Sequence, residues 1–277
     1  MEKTEIAPDT APIIANLENK IARITLNNPA KLNTFTIERL QQLIAIFDKI
    51  EGDKKIKCVI IDAIGDRVFS AGLDTAMLTG GDPDIKTKIV AYGSELSKKV
   101  FYSSKFVIGA LAAPAVGWGC ILSMLCDFRY ATSKFTRDGV AENNYFKLPE
   151  LEIGIYPATG ALTLCMMHFG PSLGNDMLFL SKKLSVEEGA RMGFVNGVGE
   201  TREEVEKLAM ETATKLSRLN QQVAMYSKAN ARMLQPMEYG KALDLEARCF
   251  QEMLDLGKEK DWLEKYLDAF KNMRATR

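Results

Sequence analysis

The sequence predicts an α/β fold with a mostly parallel sheet, followed by a helical region towards the C-terminal end. Strand and helix patterns alternate through the first half of the chain, which is typical of parallel strands joined by right-handed helical crossovers. After about Pro157 the strand pattern nearly disappears. From Glu203 to Met273 the pattern is almost wholly helical, with breaks near Asn220, Pro236 and Gly257.

The first predicted elements are two strands, Ile13 to Leu17 and Ile21 to Leu26, separated by a polar turn. Thr36 is expected to cap a helix, because apolar residues recur behind it at helical spacing. These apolar residues are Ile37, Leu40, Ile44, Phe47 and Ile50. The run from Cys58 to Asp62 is apolar and β-branched, which is typical of a strand buried on both faces.

The alternation continues through the middle of the chain. A helix is predicted over roughly Asp84 to Ser104, and a strand over Phe106 to Leu111. A glycine turn at Gly117 to Gly119 leads into an apolar helix that ends at Cys126. Phe128 to Ala131 is the next predicted strand. These elements complete the α/β part of the chain.

Two capping-box patterns open helices late in the chain, Ser185 with Glu188 and Thr201 with Glu204. The helical region that follows is too small to be independent. We therefore interpret residues 1–200 as a core. Residues 201–277 are interpreted as a helical region that packs on that core or on another subunit.

Charge and hydropathy argue against several classes of partner. The 277 residues include 36 basic and 36 acidic side chains, so no general attraction to nucleic acid or to an anionic membrane is expected. No apolar run approaches the length of a membrane span. Neither Met1 to Thr10 nor the final Ala275-Thr276-Arg277 matches a targeting signal, so a cytoplasmic protein is expected.

Cysteine and histidine usage argues against a metal site. The five cysteines are widely spaced without a C-x-x-C pair, and His168 is the only histidine. His168 lies in an apolar stretch and is interpreted as structural. Catalysis, if present, must therefore use carboxylates, lysines or backbone groups.

Three segments place polar or flexible groups at the ends of predicted elements. Phe69 to Asp74 follows the buried strand, where ligands of parallel sheets bind, but on this segment alone a plain turn is the favoured interpretation. Ala115 to Cys120 could direct helix N-terminal N–H groups at an oxyanion, although glycines at a tight strand–helix contact are common. Leu148 to Pro157 alternates two glutamates with apolar residues, so either acid is a base in an apolar wall or merely solvated.

In this order, these segments resemble the crotonase (enoyl-CoA hydratase/isomerase) superfamily. The similarity begins at Leu26 to Asn33, which is similar to the family's adenine-side loop. It continues through Phe69 to Asp74, Lys105 to Asp127, Pro149 to Gly154 and Leu184 to Val195. It covers roughly residues 11 to 200, and several linked motifs in order are more specific than any one of them alone.

The resemblance implies a crotonase-like spiral core of repeated ββα units, residues 1–200, and a C-terminal helical region, 201–277, that supports trimerisation. It also implies an acyl-CoA substrate, no metal or redox cofactor, and a homotrimer or hexamer. The family stabilises a thioester enolate with two backbone N–H groups, which fall here on Ala71 and Trp118, and Glu150 matches a catalytic glutamate. Substrate or CoA contacts are implied for Ala30, Lys31, Leu32, Ser70, Gly72, Leu73, Asp74, Gly117 and Ile121.

The acids in this pattern favour one reaction within the family. Hydratases of the family share a second glutamate that falls at position 121, which is isoleucine here. Dienoyl-CoA isomerases have an aspartate where this chain has Ala158. The chain is most similar in motif to 3,2-trans-enoyl-CoA isomerases, which keep one acid, so a shift of 3-enoyl-CoA to 2-enoyl-CoA is expected. The alternatives are a 2-enoyl-CoA hydratase, another crotonase-type lyase or hydrolase, and a non-catalytic acyl-CoA-binding homologue.

Two departures from the family pattern affect the expected site. Trp118 replaces a small residue and places an indole near the acyl pocket. The chain is also longer than the hydratases before Glu150, around Thr136 to Tyr145. That stretch is a lid, a surface loop, or a sign that Glu150 is displaced and that Glu142 or Glu152 acts instead.

Overall fold

The computed structural model describes residues 4–7, 13–18, 20–79, 82–233 and 239–256. Its strands are β1 (Thr4–Ala7), β2 (Ile13–Glu18), β3 (Ile21–Leu26), β4 (Cys58–Ala63), β5 (Phe106–Leu111), β6 (Ala115–Val116), β7 (Phe128–Thr132), β8 (Lys134–Arg137), β9 (Val140–Asn143), β10 (Tyr145–Lys147), β11 (Leu184–Ser185) and β12 (Gly197–Gly199). Its α-helices are α1 (Ile37–Gly52), α2 (Thr75–Thr79), α3 (Pro83–Phe101), α4 (Trp118–Leu125), α5 (Ala161–Phe179), α6 (Val186–Arg191), α7 (Arg202–Ser217), α8 (Gln221–Met233) and α9 (Tyr239–Leu256). Two 3-10 turns lie at Pro29–Lys31 and Leu151–Ile153.

A seven-stranded sheet in the order β1-β2-β3-β4-β5-β7-β12 forms the centre of the fold. The hairpin β2–β3 is antiparallel, whereas β3, β4, β5, β7 and β12 run parallel to one another. Every residue of β4 is buried, as its apolar and β-branched run predicts. The prediction of an α/β fold with a mostly parallel sheet is confirmed.

Helices cover both faces of this sheet. On one face, α1 packs against α3, and the Thr36 hydroxyl caps α1 by accepting from the Arg39 amide at 3.4 Å. On the other face, α7 packs on β4, β5 and β7 through an apolar stripe of Val205, Ala209 and Ala213. The loops that follow β4 and β5 leave the carboxyl ends of adjacent parallel strands, where α/β proteins bind ligands.

A second, three-stranded sheet in the order β11-β10-β6 lies beside those loops. β6 and β10 pair in parallel, with Val116 opposite Lys147. These strands are two and three residues long, which is too short for periodicity to reveal, and the sequence did not predict them. The inserted stretch around Thr136 to Tyr145 includes the antiparallel hairpin β8–β9, turning at Asp138-Gly139.

The late helices agree with the sequence where the structure describes them. The predicted break near Asn220 separates α7 from α8, whereas Pro236, Gly257 and the helix predicted to Met273 lie outside the described residues. The capping box of Ser185 and Glu188 is complete, but Glu204 accepts from the Glu200 amide instead of reciprocating with Thr201. Within the described ranges, no helix combines the length and apolarity that a bilayer crossing requires.

Candidate active site

Two loops meet beside the carboxyl ends of β4 and β5, the one after β4 and the one that contains β6 and leads into α4. The Ser70 carbonyl accepts from the Val116 amide at 2.9 Å, which joins the loops side by side. A Cβ atom placed on Gly72 would lie 2.6 Å from the Trp118 nitrogen, and the φ of Gly72 is +93°. Only glycine fits this position, because both the space and the backbone conformation exclude a side chain.

The backbone N–H groups of the first loop point in different directions. The Ala71 N–H donates to the Leu32 carbonyl at 3.0 Å, so Ala71 is not free to bind an oxyanion and its predicted role is wrong. Phe35 pairs with both neighbours of Leu73 as a parallel bridge, donating to the Gly72 carbonyl and accepting from the Asp74 amide. This pairing turns the Leu73 N–H away from Phe35. The Leu73 N–H has no acceptor among the described residues.

Leu73 and Trp118 are therefore the candidate pair of amides for the predicted oxyanion site. Trp118 is the first residue of α4, where an N–H has no partner within the helix. Both residues line the same cavity. The sequence placed Leu73 among the substrate contacts but missed it as a donor, because only the pairing of the loop with Leu32 and Phe35 distinguishes its amide from that of Ala71.

The small sheet places Glu150 beside Gly117, the residue before Trp118. The Lys147 carbonyl of β10 accepts from the Gly117 amide at 2.9 Å, and the chain then continues through Leu148 and Pro149. A Cβ atom placed on Gly117 would lie 3.5 Å from Glu150 Oε1. The insertion before Glu150 has therefore not displaced the carboxylate from the amides.

The environment of Glu150 changes its acidity. Although the residue as a whole is only half-buried, Oε2 is shut off from solvent and has no hydrogen-bond partner among the described residues. Burial in this apolar wall raises the pKa of the Glu150 carboxyl to about 7, against a smaller lowering by its own backbone amide. A carboxylate with such a pKa exchanges protons readily near neutral pH.

The cavity has an empty volume of about 530 Å³ including its open mouth. Its wall is mostly apolar, and Glu150 is the single carboxylate among the described residues that line it. Ile121 lies in this wall and is 2% exposed. The lining residues are Ala71, Leu73, Thr75, Leu78, Val90, Gly117, Trp118, Ile121, Pro149, Glu150, Ile153, Ile155, Tyr156, Ala158 and Thr159.

The Trp118 indole packs in the wall of the cavity, as the sequence predicts. The side chain is 1% exposed, and its ring meets Phe35 edge-on with 4.8 Å between centroids. A Cβ atom on Gly93 of α3 would lie 3.5 Å from the indole Nε1 and 2.9 Å from the Thr159 methyl carbon. Gly93 thus leaves the space that the indole occupies beside Thr159.

The other candidate acids lie away from the cavity. Glu152 forms an ion pair with Lys147 at 2.5 Å, and Glu142 pairs with Arg137 of the β8–β9 hairpin at 3.7 Å. Neither residue lines the cavity, so the geometry leaves Glu150 as the candidate base.

His168 is half-buried and does not line the cavity, in agreement with its predicted structural role. Its Nε2 lies 2.8 Å from the Met124 carbonyl, and burial lowers its pKa to about 3, so the ring is neutral. Among the described residues, no group of histidine, cysteine, aspartate or glutamate is arranged to hold a metal ion.

The predicted CoA contacts divide into exposed and buried residues. Ala30 and Lys31 are exposed in the first 3-10 turn, and Leu32 is 38% exposed. Ser70 is fully buried and its hydroxyl bonds the Asn33 carbonyl and the Gly72 amide, so its predicted ligand contact is wrong. The Asp74 carboxylate accepts from the first amides of α2, which assigns it a structural role in the loop.

Comparison with known proteins agrees with this architecture. A family profile described as "Enoyl-CoA hydratase/isomerase" matches residues 16–275. The chain is 27% identical over 260 residues to a short-chain-enoyl-CoA hydratase of Clostridium acetobutylicum, covering 94% of this chain and 95% of the relative. It is 28% identical over 262 residues to a crotonyl-CoA hydratase of Syntrophomonas wolfei, covering 94% and 96%. The crystal structure of an enoyl-CoA hydratase from Mycobacterium avium subsp. paratuberculosis superposes with a TM-score of 0.78 at 22% identity, covering 94% of this chain and 98% of that one.

Proposed function

The chain belongs to the enoyl-CoA hydratase/isomerase family, and on that premise we propose that it shifts the double bond of a 3-enoyl-CoA to give the 2-enoyl-CoA. The observation that supports this reaction within the family is that Glu150 is the one carboxylate that the described residues contribute to the cavity wall, which is mostly apolar and includes Ile121. The crotonase-type α/β fold is shared with the solved hydratase structures.

The thioester carbonyl would bind at the Leu73 and Trp118 amides. Negative charge develops on this oxygen when a proton leaves the neighbouring carbon, and two N–H donors in a dry site stabilise it. Removal of one such donor typically costs about 10² to 10³ in rate. The close approach of Gly72 to the Trp118 nitrogen supports this role, because it keeps both loops on one wall of the cavity.

Glu150 would move the proton. The ionised carboxylate takes a proton from C2 of the 3-enoyl thioester, and the electron pair delocalises as a dienolate whose charge lies mainly on the thioester oxygen. The protonated Glu150 then returns the same proton to C4, which leaves the double bond between C2 and C3. No water, metal ion or redox group enters this balance, and a pKa of about 7 suits a group that must both accept and donate a proton.

A hydratase is the second candidate, because the two relatives described above are named hydratases. Addition of water requires a group to hold and deprotonate the water while another protonates carbon. In this cavity the position that resembles the second hydratase acid is Ile121, which offers no hydrogen bond. The wall therefore favours the reaction that needs no water.

The test compares two substrates on one enzyme. Purified protein is assayed spectrophotometrically with 3-hexenoyl-CoA and with crotonyl-CoA, and Glu150→Gln is assayed beside it. We expect turnover of 3-hexenoyl-CoA that exceeds crotonyl-CoA hydration and that falls at least about a thousandfold in the variant. Faster hydration of crotonyl-CoA supports the second candidate, and an undiminished Glu150→Gln rate overturns the role of Glu150.

The assembly is the other part of the proposal. We expect a homotrimer or hexamer with residues 201–277 contributing to the subunit contacts, as the resemblance implies. In the described part of that region, α7 packs on the sheet of its own chain, which leaves α8 as the helix available for such contacts. Leu219, Val223 and Tyr226 are exposed at and near this helix, with exposed fractions of 50%, 62% and 66%.

A further inference from the structure

Helix α9 carries a buried carboxylate that is outside the proposed reaction. Glu246 is 3% exposed and accepts from the Gly160 amide at 2.7 Å, the Thr163 amide at 3.0 Å and the Thr163 hydroxyl at 2.7 Å. These donors belong to the first turn of α5, whose own N-cap residue, Gly160, has no side chain to bond them. Glu246 thus caps α5 from a distant helix, where a negative charge is also favoured by the helix dipole.

The segment that Glu246 holds is a wall of the cavity. Ala158 and Thr159, immediately before Gly160, both line the cavity. Thr159 has a φ of +62° and Gly160 one of +102°, so this turn has a conformation that needs support from its surroundings. On the other side, the Ser97 hydroxyl of α3 donates to the Thr159 carbonyl at 2.8 Å. The turn is therefore held between α3 and α9.

Two further residues of α9 contact the same wall. Tyr239 is 1% exposed, stacks on Phe101 of α3 with 4.0 Å between ring centroids, and leaves no room for a side chain on Gly160. Tyr156, which lines the cavity, lies beside Cys249 of α9. Contacts from α9 thus support the wall at both of its ends, residues 156 and 160.

We propose that Glu246 is a positioning residue that fixes the acyl-binding wall and thereby sets the affinity for the acyl chain. The inference rests on the proposed function for its substrate class, an enoyl thioester. It assigns α9 to the active site of its own chain. Loss of the Glu246 carboxylate frees three donors at α5 and lets the 158–160 turn move, while the amides of Leu73 and Trp118 and the Glu150 carboxylate stay in place.

The test uses Glu246→Gln, which keeps the size of the side chain but replaces one acceptor oxygen with a donor. With 3-hexenoyl-CoA we expect KM to rise about tenfold and kcat to change by less than about twofold. The affinity for free CoA, which has no acyl chain, should stay unchanged. Glu252→Gln is the matched control, because Glu252 is exposed on the same helix.

Thr163→Val removes only the hydroxyl donor to Glu246. It keeps the proposal testable if Glu246→Gln does not fold. We expect it to raise KM in the same direction by a smaller factor. An unchanged KM in folded Glu246→Gln overturns the proposal. So does a loss of free-CoA affinity and kcat in parallel with acyl-CoA affinity, which indicates a general structural role. The affinities for acyl-CoA and for free CoA are measured calorimetrically and need no turnover. Their ratio therefore tests the role of Glu246 even if the proposed double-bond shift does not occur.

Discussion

Replacing Glu150 with glutamine should stabilise the folded protein above neutral pH while abolishing the proposed reaction. Burial raises the pKa of this carboxyl from 4.5 to about 7, so the unfolded chain releases the proton earlier than the folded chain. Each pKa unit corresponds to about 1.4 kcal/mol, so ionising Glu150 in the folded state costs about 3 kcal/mol. The cost grows as pH rises through the window from 4.5 to about 7 and is constant above it.

The assay is urea unfolding of both proteins at equal concentration, from about pH 5 to about pH 8.5. The stability advantage of Glu150→Gln should increase by about 2.5 kcal/mol across that range. Glu152→Gln is the control, since its exposed ion pair with Lys147 contributes about 1 kcal/mol at most and predicts no such trend. A difference between Glu150→Gln and wild type that does not change with pH would refute an unpaired, buried Glu150.

Three further predictions concern activity. The rate of the proposed double-bond shift should rise with pH and level off above about pH 7, because Glu150 must be ionised to take a proton; a pH–rate profile that falls over this range would contradict its role as base. Gly72→Ala should lower kcat at least about a hundredfold, because its Cβ would lie 2.6 Å from the Trp118 nitrogen. Gly139→Ala, at a positive φ with nothing within 4 Å, should leave kcat nearly unchanged, and equal losses in the two variants would argue against the Gly72 contact. Ile121→Glu should raise crotonyl-CoA hydration at least about tenfold by adding a group that holds water, and unchanged hydration in a folded variant would show that the missing acid does not select the reaction.

The long elements could be predicted from the sequence because burial produces their patterns. A strand covered on both faces requires a continuous apolar run, and the run at β4 is such a case. The helix α1 buries one face, which explains its helical spacing of apolar residues. The strands β6 and β10 are too short to establish a period, so their pairing became visible only in the structure. For the β8–β9 hairpin the sequence carries a local signal, the Asp138-Gly139 dipeptide, whose two positive φ angles form a tight hairpin turn.

The sequence predicted a donor amide at Ala71, two residues before Leu73, whose amide the structure favours. The motif identified the correct loop, but the donor amide depends on hydrogen bonds to distant chain segments. Leu32 accepts from Ala71, and Phe35 pairs around Leu73. No pattern within Phe69 to Asp74 encodes these partners, because they come from the loop before α1. The support that Glu246 provides for the cavity was invisible for the same reason, since its partners at α5 are more than 80 residues away.

The apolar wall around Glu150 has two effects that follow from one cause. Removing water from the carboxyl is the largest contribution to its raised pKa, and the same exclusion removes the nucleophile that a hydratase needs. A second acid at position 121 would bring water in and add a like charge, so one of the two carboxyls would keep its proton. The isoleucine instead leaves a single group whose two protonation states are nearly balanced near pH 7. Such a group can take a proton from one carbon and return it to another without a partner, and this matches a double-bond shift better than hydration.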